Sequence, residues 1–225
     1  MKAMRFVPAL AVLLASCATF APASLRDRCR PVYSIMISTA GGKISMSHAI
    51  GASVILMASD DGALLLTANH IVASATLVGV VGPDGKHVKA VVLRAEPERD
   101  LALIFAKGLT GAPARIAKHP VRIGDRLWVT GIHAFSSHGV YVVPGTVSTD
   151  LGPCISPAQG CFLARIEGGP GSSGSPVFDQ NGRLAGMVQG GTRRHPRLSW
   201  VIGLQNIVQF LVGPAPQSVT APPPA

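Results

Sequence analysis

The chain has 225 residues, enough for one domain or for two closely packed half-domains. Hydrophobic residues make up 48% of it and charged residues only 14%, which excludes an intrinsically disordered chain. The net charge of +9 comes without a long basic run or interleaved aromatic residues, so we expect no nucleic-acid partner.

The amino terminus has the pattern of an export signal, which we assign to residues 1–16. Two basic residues precede an apolar stretch, Phe6 to Ala15, that is too short to span a membrane comfortably as a helix. Residues 14–17, Leu-Ala-Ser-Cys, resemble the bacterial lipobox, in which the cysteine, here Cys17, becomes the lipidated first residue and a membrane tether. Residues 21–23, Ala-Pro-Ala, form a competing cleavage site for a soluble, non-lipidated product. Both alternatives predict an exported, periplasmic or secreted protein.

A tether is predicted for residues 17–31. It carries Arg26, Arg28 and Arg30, which either contact anionic lipid headgroups or form a solvated basic segment.

The region from residue 32 to residue 212 is predicted to be one all-β domain. Its 25 glycines and 18 prolines, counted over the whole chain, indicate many turns between short strands. In chain order the apolar runs are VYSIMIS, KISMSHAIGASVILMAS, ALLLTANHIV, TLVGVVG, VKAVVLRAE, DLALIFAK, RLWVTGIHAF, GVYVVPGTVSTD, CFLARIEG, SPVFD, RLAGMVQGG and LSWVIGL. Their close, regular spacing is typical of a sandwich or barrel. A short helix is predicted over 205–212, and residues 213–225 form a Pro-rich tail without core residues.

Cys154 and Cys161 are seven positions apart in a turn-rich stretch, and export exposes thiols to oxidation. A disulfide between them would contribute about 2.5 kcal/mol through the entropy of the unfolded chain. Cys29 has no obvious partner in the sequence, and four unrelated thiols remain the alternative.

The chain also supplies, in the order His, Asp, Ser, the groups that covalent cleavage of an amide requires: a base, a group that orients it, and a nucleophile. His70 lies at the exit of a strand, flanked by small residues. Asp100 opens the apolar run DLALIFAK, with Glu96 and Glu98 as nearby rivals. Ser173 is the predicted nucleophile, in the glycine-rich stretch GGPGSSGSPVFD.

The glycines around Ser173 have a predicted role of their own. Gly171 permits a backbone that points the N–H groups of Gly171 and Ser173 at one spot, which would form an oxyanion hole. Ser172 and Ser175 compete as nucleophiles, but neither has the flanking glycine pattern of Ser173.

Four stretches, TANHIVASA, ERDLALI, VRIGDRLWVTG and GPGSSGSPVFDQNGRLAGMVQGG, resemble the trypsin-like serine peptidases of bacteria, in particular the HtrA/Deg-type proteases and the glutamyl endopeptidases. The resemblance covers about residues 32–212. It implies two six-stranded antiparallel barrels of the chymotrypsin type, with His70 and Asp100 on the first and Ser173 on the second.

The sequence also departs from these families. Ser172 replaces the aspartate that binds a new amino terminus in zymogen-activated members. Val188 occupies the position of the histidine that recognises a glutamate side chain of the substrate in glutamyl endopeptidases. Only a short tail follows the domain, so no PDZ domain of the HtrA type is expected.

Substrate contacts are predicted at two places. Glu167 lies six positions before Ser173, near the segment that forms the floor of the specificity pocket in related proteases. The alternative is that Glu167 is an exposed acid on a loop. Gln189, Gly190 and Gly191 are expected to pair with an extended polypeptide substrate by strand addition. No nucleotide-binding or metal-binding motif occurs, so we expect no cofactor and no metal.

These patterns predict an exported serine endopeptidase that works through an acyl-enzyme. The alternative hypothesis is a catalytically silent, protease-like lipoprotein that binds peptide or envelope polymer.

Overall fold

The structure is a computed structural model that describes residues 23–40, 43–132, 139–155, 159–166, 169–192, 195 and 197–213. Its strands form two antiparallel barrels that lie side by side.

The first barrel closes in the strand order β1-β2-β3-β6-β5-β4. Its strands are β1 Cys29–Ala40, β2 Lys43–Ser59, β3 Gly62–Ala68, β4 Leu77–Val81, β5 His87–Glu96 and β6 Leu101–Lys107. Nearly all of β3 is buried because its alternating side chains have a core on each side. Leu65 belongs to the interior of the first barrel, whereas Leu66 belongs to a cluster shared with the second.

The second barrel has the order β13-β12-β11-β7-β8-β10 and closes through the pairing of β10 with β13. Its strands are β7 Arg126–Gly131, β8 Tyr141–Val147, β10 Gln159–Arg165, β11 Pro176–Phe178, β12 Leu184–Gly191 and β13 Leu198–Gly203. A two-residue strand, β9 Gly152–Pro153, lies beside β10. Val129, Phe162, Val177 and Val188 are among the side chains that fill this barrel. The predicted pair of six-stranded barrels is therefore confirmed.

A third buried cluster joins the two barrels, and we call it the seam. It contains Leu66 and Leu101 from the first barrel and Phe178 and Met187 from the second. The carboxy-terminal helix α2, Leu204–Val212, contributes to it as well. No helix in the described part of the chain is long and apolar enough to cross a membrane.

The folded region begins earlier than residue 32, which corrects the predicted extent of the tether. Ala23–Arg28 form a short 3-10 helix whose Leu25 is buried in the seam. Arg28 donates from Nη1 to the Gly182 carbonyl at 2.6 Å. Arg30 is only 6% exposed and donates to the carbonyls of Cys29 and Thr110. Two of the three arginines are thus engaged by the folded domain, because their guanidinium groups satisfy backbone carbonyls. Cys17 lies outside the described residues.

Candidate active site

His70 is held at the mouth of the first barrel by α1, Asn69–Val72, which directly follows β3. Its side chain is 46% exposed, while its Nδ1 lies 3.0 and 2.8 Å from the two carboxylate oxygens of Asp100. An ionised carboxylate only accepts hydrogen bonds, so Nδ1 carries the proton. Nε2 is then the basic nitrogen of the neutral ring.

Asp100 ends a tight turn directly before β6, and its backbone has a left-handed φ of 55°. Its N–H donates to the Pro97 carbonyl at 3.1 Å, and its own carbonyl accepts from Asn69 N–H at 3.0 Å. Aspartate tolerates this conformation better than most side chains. The turn therefore fixes the carboxylate against α1.

Asp100 is buried, with its side chain only 9% exposed, and its carboxylate accepts from several N–H groups. Besides His70 Nδ1, the His70 backbone N–H donates to Oδ1 at 2.9 Å, and Gln189 Nε2 donates to Oδ2 at 3.3 Å. These donors offset the cost of burying a charge. Of the two rival acids, Glu96 pairs with Arg94 and Arg99, and Glu98 is exposed to solvent.

Ser173 lies on a pair of tight turns between β10 and β11. Ser172 N–H donates to the Gly169 carbonyl at 3.0 Å, and Gly171 has a φ of 92°. Pro170 and Gly171 are thus the central residues of a turn with the features of type II, which needs a positive φ at its third residue. Ser172 and Ser175 are buried, whereas Ser173 is partly exposed.

The Ser173 turn docks directly on the first barrel. Ala52 N–H donates to the Ser173 carbonyl at 2.8 Å. A Cβ added at Gly51 would lie 2.8 Å from that carbonyl oxygen and 2.9 Å from Ile71 Cδ1. The side chain of Ile71, the residue after His70, and the backbone of Ser173 therefore border the same point beside Gly51.

The hydroxyl of Ser173 donates to the carbonyl of Gln189 at 3.1 Å. Gln189 also reaches Asp100 with its side chain, so this residue contacts both Ser173 and Asp100. The side-chain contact of Gln189 was not predicted. The sequence signal that could have found it is an amide side chain in the apolar strand β12, because a buried amide needs partners.

Gly190 and Gly191 pair with Trp200 and Ser199 of β13 on one side. A Cβ added at Gly190 would meet only Ile155 Cδ1, at 3.5 Å, and one at Gly191 would meet nothing within 4 Å. The main chain is therefore open to close approach by an extended ligand. Glu167 lies outside the described residues. Val188 is 1% exposed and packs inside the second barrel.

The predicted disulfide between Cys154 and Cys161 is present, with Cα atoms 5.0 Å apart. Cys29 is a buried free thiol, and burial raises its pKa from 9.0 to about 12. In the part of the chain that the structure describes, no three His, Cys, Asp or Glu side chains are grouped to hold a metal ion.

Residues 52–187, more than half of the chain, match the family described as the trypsin-like peptidase domain. The chain belongs to this family of serine peptidases. The matched segment runs from Ala52, beneath the serine turn, to Met187, two residues before Gln189.

Two curated relatives give the range of sequence similarity. A probable periplasmic serine endoprotease DegP-like of Ectopseudomonas mendocina is 29% identical over 149 residues, which cover 65% of this chain and 30% of the relative. The protein of the same name from Brucella suis is 30% identical over 135 residues, which cover 57% of this chain and 25% of the relative. The trypsin-like chain thus spans less than a third of the length of these relatives.

Solved structures share the fold. The active form of the Rv3671c protease from M. tuberculosis superposes with a TM-score of 0.69 at 23% identity, covering 88% of this chain and 85% of that one. The HtrA-type protease AlgW with a tripeptide gives a TM-score of 0.69 at 20% identity, covering 84% of this chain and 62% of that one. Both structural similarities support the fold of this trypsin-like peptidase.

Proposed function

We propose that the protein is an exported serine endopeptidase whose base, orienting acid and nucleophile are His70, Asp100 and Ser173. The observation that carries this proposal is the buried Asp100 carboxylate bonded to Nδ1 of a half-exposed His70, beside the docked serine turn. An imidazole fixed in this tautomer presents Nε2 as a base to the cleft.

In the proposed acylation step, the Ser173 hydroxyl turns from the Gln189 carbonyl to His70 Nε2. Oγ attacks the carbonyl carbon of the scissile peptide, and its proton moves to Nε2. The Asp100 carboxylate stabilises the imidazolium that forms. The N–H groups of Gly171 and Ser173 would bind the oxyanion of the tetrahedral intermediate, and each such donor contributes about 3 kcal/mol.

The intermediate then collapses to an ester on Ser173. The C–N bond breaks, and the proton on Nε2 passes to the leaving amine. A water molecule next gives its proton to Nε2 and attacks the ester carbon. Collapse of the second intermediate releases the carboxylic acid and returns the proton to Ser173 Oγ.

The polypeptide substrate is proposed to lie as an added strand along Gln189, Gly190 and Gly191. The Gln189 carbonyl now accepts from Ser173 Oγ. A substrate N–H that takes this acceptor would release the hydroxyl toward His70, which couples occupancy of the cleft to alignment of the nucleophile. A carboxylate at Glu167 would favour a basic side chain at the cleavage point, and this role stays a prediction.

Export to the periplasm is part of the proposal. The leader pattern and the curated relatives, which are named periplasmic endoproteases, both support it. Lipidation of Cys17 would tether the domain to a membrane, whereas cleavage after Ala23 would release it. Mass spectrometry of the mature amino terminus, with Cys17→Ser as the control, separates the two.

The proposal is tested with a fluorophosphonate probe and with digestion of casein, an unstructured polypeptide. Wild-type protein and Ser172→Ala, which alters a buried neighbouring serine, should both be labelled and active. Ser173→Ala should be neither. Asp100→Asn should lower kcat by roughly 10⁴ because the imidazole then loses its tautomeric control. An unlabelled wild-type protein that still binds casein would instead support the silent binding module.

A further inference from the structure

The side chain of Gln189, on β12, makes two hydrogen bonds to groups outside its own strand. Its side chain is buried, with the residue only 4% exposed. Oε1 accepts from Ile155 N–H at 2.9 Å, while Nε2 donates to Asp100 Oδ2 at 3.3 Å. One partner only donates and the other only accepts, so the orientation of the amide is determined.

The Oε1 end of the amide lies against the disulfide-closed segment. Ile155 directly follows Cys154, and Cys161 Sγ lies 4.0 Å from Gln189 Oε1. The disulfide limits how far Ile155 can move relative to β10, which carries Cys161. The Ile155 N–H is thereby held at a fixed place above β12.

The Nε2 end of the amide meets the oxygen of Asp100 that also faces the base. Oδ2 lies 2.8 Å from His70 Nδ1 and 3.3 Å from Gln189 Nε2. The carboxylate lies on a strained turn, and its plane can rotate about the Cβ–Cγ bond. A second donor on Oδ2, fixed from the opposite barrel, restricts that rotation and keeps the plane directed at the imidazole.

We propose that Gln189 is a positioning residue that connects the Cys154–Cys161 segment to Asp100. The disulfide fixes Ile155, Ile155 fixes the amide, and the amide fixes the carboxylate that orients His70. This inference rests on the proposed peptidase function. It adds a role for the disulfide in turnover besides its role in stability.

One substitution removes both contacts of the amide. Gln189→Met keeps the length of the side chain but removes both hydrogen bonds. We expect this variant to lose about ten- to hundredfold in kcat, the range for a lost hydrogen bond to a charged group, with KM changed less than threefold.

A double-mutant cycle with Asp100→Asn supplies a readout that a purely structural role would not give. If Gln189 acts through the carboxylate, Gln189→Met should cost less than threefold further in the Asp100→Asn background. Full additivity would overturn the inference. The Cys154→Ser, Cys161→Ser double variant should lower kcat several-fold and should be non-additive with Gln189→Met.

The failure of this inference is distinguishable from that of the proposed function. A wild-type protein that neither labels nor cleaves contradicts the peptidase itself. A wild-type protein that cleaves, beside a folded Gln189→Met with kcat within twofold, contradicts only the positioning role. If Gln189→Met does not fold, the cysteine double variant decides the question. An unchanged kcat in that variant overturns the link, and a several-fold loss with unchanged KM supports it.

Discussion

Gly174, directly after the proposed nucleophile Ser173, allows a matched test of how the serine turn docks on the first barrel. Its φ is 79°, and a Cβ added there would lie 2.0 Å from the Ala52 carbonyl oxygen. The nearest contact that real Cβ atoms show is 3.0 Å, so the turn in Gly174→Ala must move by about 1 Å. That movement breaks the 2.8 Å bond from Ala52 N–H to the Ser173 carbonyl.

The cost of Gly174→Ala has two parts. A left-handed backbone costs an L-residue about 1–2 kcal/mol, and a buried N–H without its partner costs about 1–3 kcal/mol. The free energy of unfolding should therefore fall by about 2–5 kcal/mol. Gly124→Ala is the control, because Gly124 has a φ of 86° with nothing within 4 Å of an added Cβ. The free energy of unfolding of Gly124→Ala should fall only by the cost of the left-handed backbone, about 1–2 kcal/mol.

Urea unfolding measures these losses of stability, and the rate of fluorophosphonate labelling measures the reactivity of the Ser173 hydroxyl. Gly124→Ala should label at the wild-type rate. Gly174→Ala should label about a hundredfold more slowly, since a displacement near 1 Å is enough to misplace a nucleophile. Labelling of folded Gly174→Ala within threefold of the wild type would refute the docking argument.

Two further predictions concern the oxyanion hole and a buried thiol. Gly171→Ala should lower kcat about five- to thirtyfold, because the left-handed φ of 92° costs about 1–2 kcal/mol, less than the roughly 3 kcal/mol that the N–H donor supplies. Steady-state kinetics check this against Gly139→Ala, an open position with a φ of 69°, and an unchanged kcat in Gly171→Ala would contradict the donor role. The raised pKa of Cys29, about 12 against 9.0, means that only the unfolded chain releases this proton between pH 9 and 12. Its contribution to stability is complete below pH 9 and declines above it by about 1.4 kcal/mol per pH unit. Urea midpoints should thus fall less steeply with pH in Cys29→Ala than in the wild type, and parallel curves would contradict the burial argument. Tyr141, whose pKa burial raises to about 12, sustains part of the decline in both proteins above pH 10.

Much of the fold and of the candidate site could be predicted because the sequence signals are local. Short apolar runs between turn residues indicate strands wherever they occur, and β3 and β6 follow that pattern. The Gly-x-Ser-Gly stretch likewise encodes its turn locally, since Gly171 and Gly174 both have a positive φ. His70 and Asp100 are 30 positions apart, but His70 lies just after β3 and Asp100 just before β6, and these strands pair so that Ala68 faces Leu101. The antiparallel register then brings the ends of the two strands together.

The contacts of Gln189 that sequence reasoning missed join distant segments. Gln189 meets Ile155 and Asp100, which are 34 and 89 positions away, and no periodicity relates such positions. Arg30 is similar, because one of its partners is the Thr110 carbonyl, 80 positions along the chain. Its charge alone indicates a solvated tether. Its burial depends on carbonyls that only the tertiary structure supplies.

Adjacent leucines in β3 distinguish the role of the seam from that of the barrel interiors. Leu65 and Leu66 are both fully buried, but Leu65 packs inside the first barrel and Leu66 in the seam. Truncation to alanine should cost about 2–5 kcal/mol at either position. Leu65→Ala leaves the contacts between the barrels in place, so its folded fraction should keep the wild-type kcat. Leu66→Ala loosens the surface across which Gln189 contacts Asp100 and Ala52 contacts the Ser173 turn, so its kcat should fall severalfold even where unfolding measurements show a fully folded protein. Equal kcat values for the two folded variants would mean that the few hydrogen bonds across the seam align the site without help from the apolar packing beneath them.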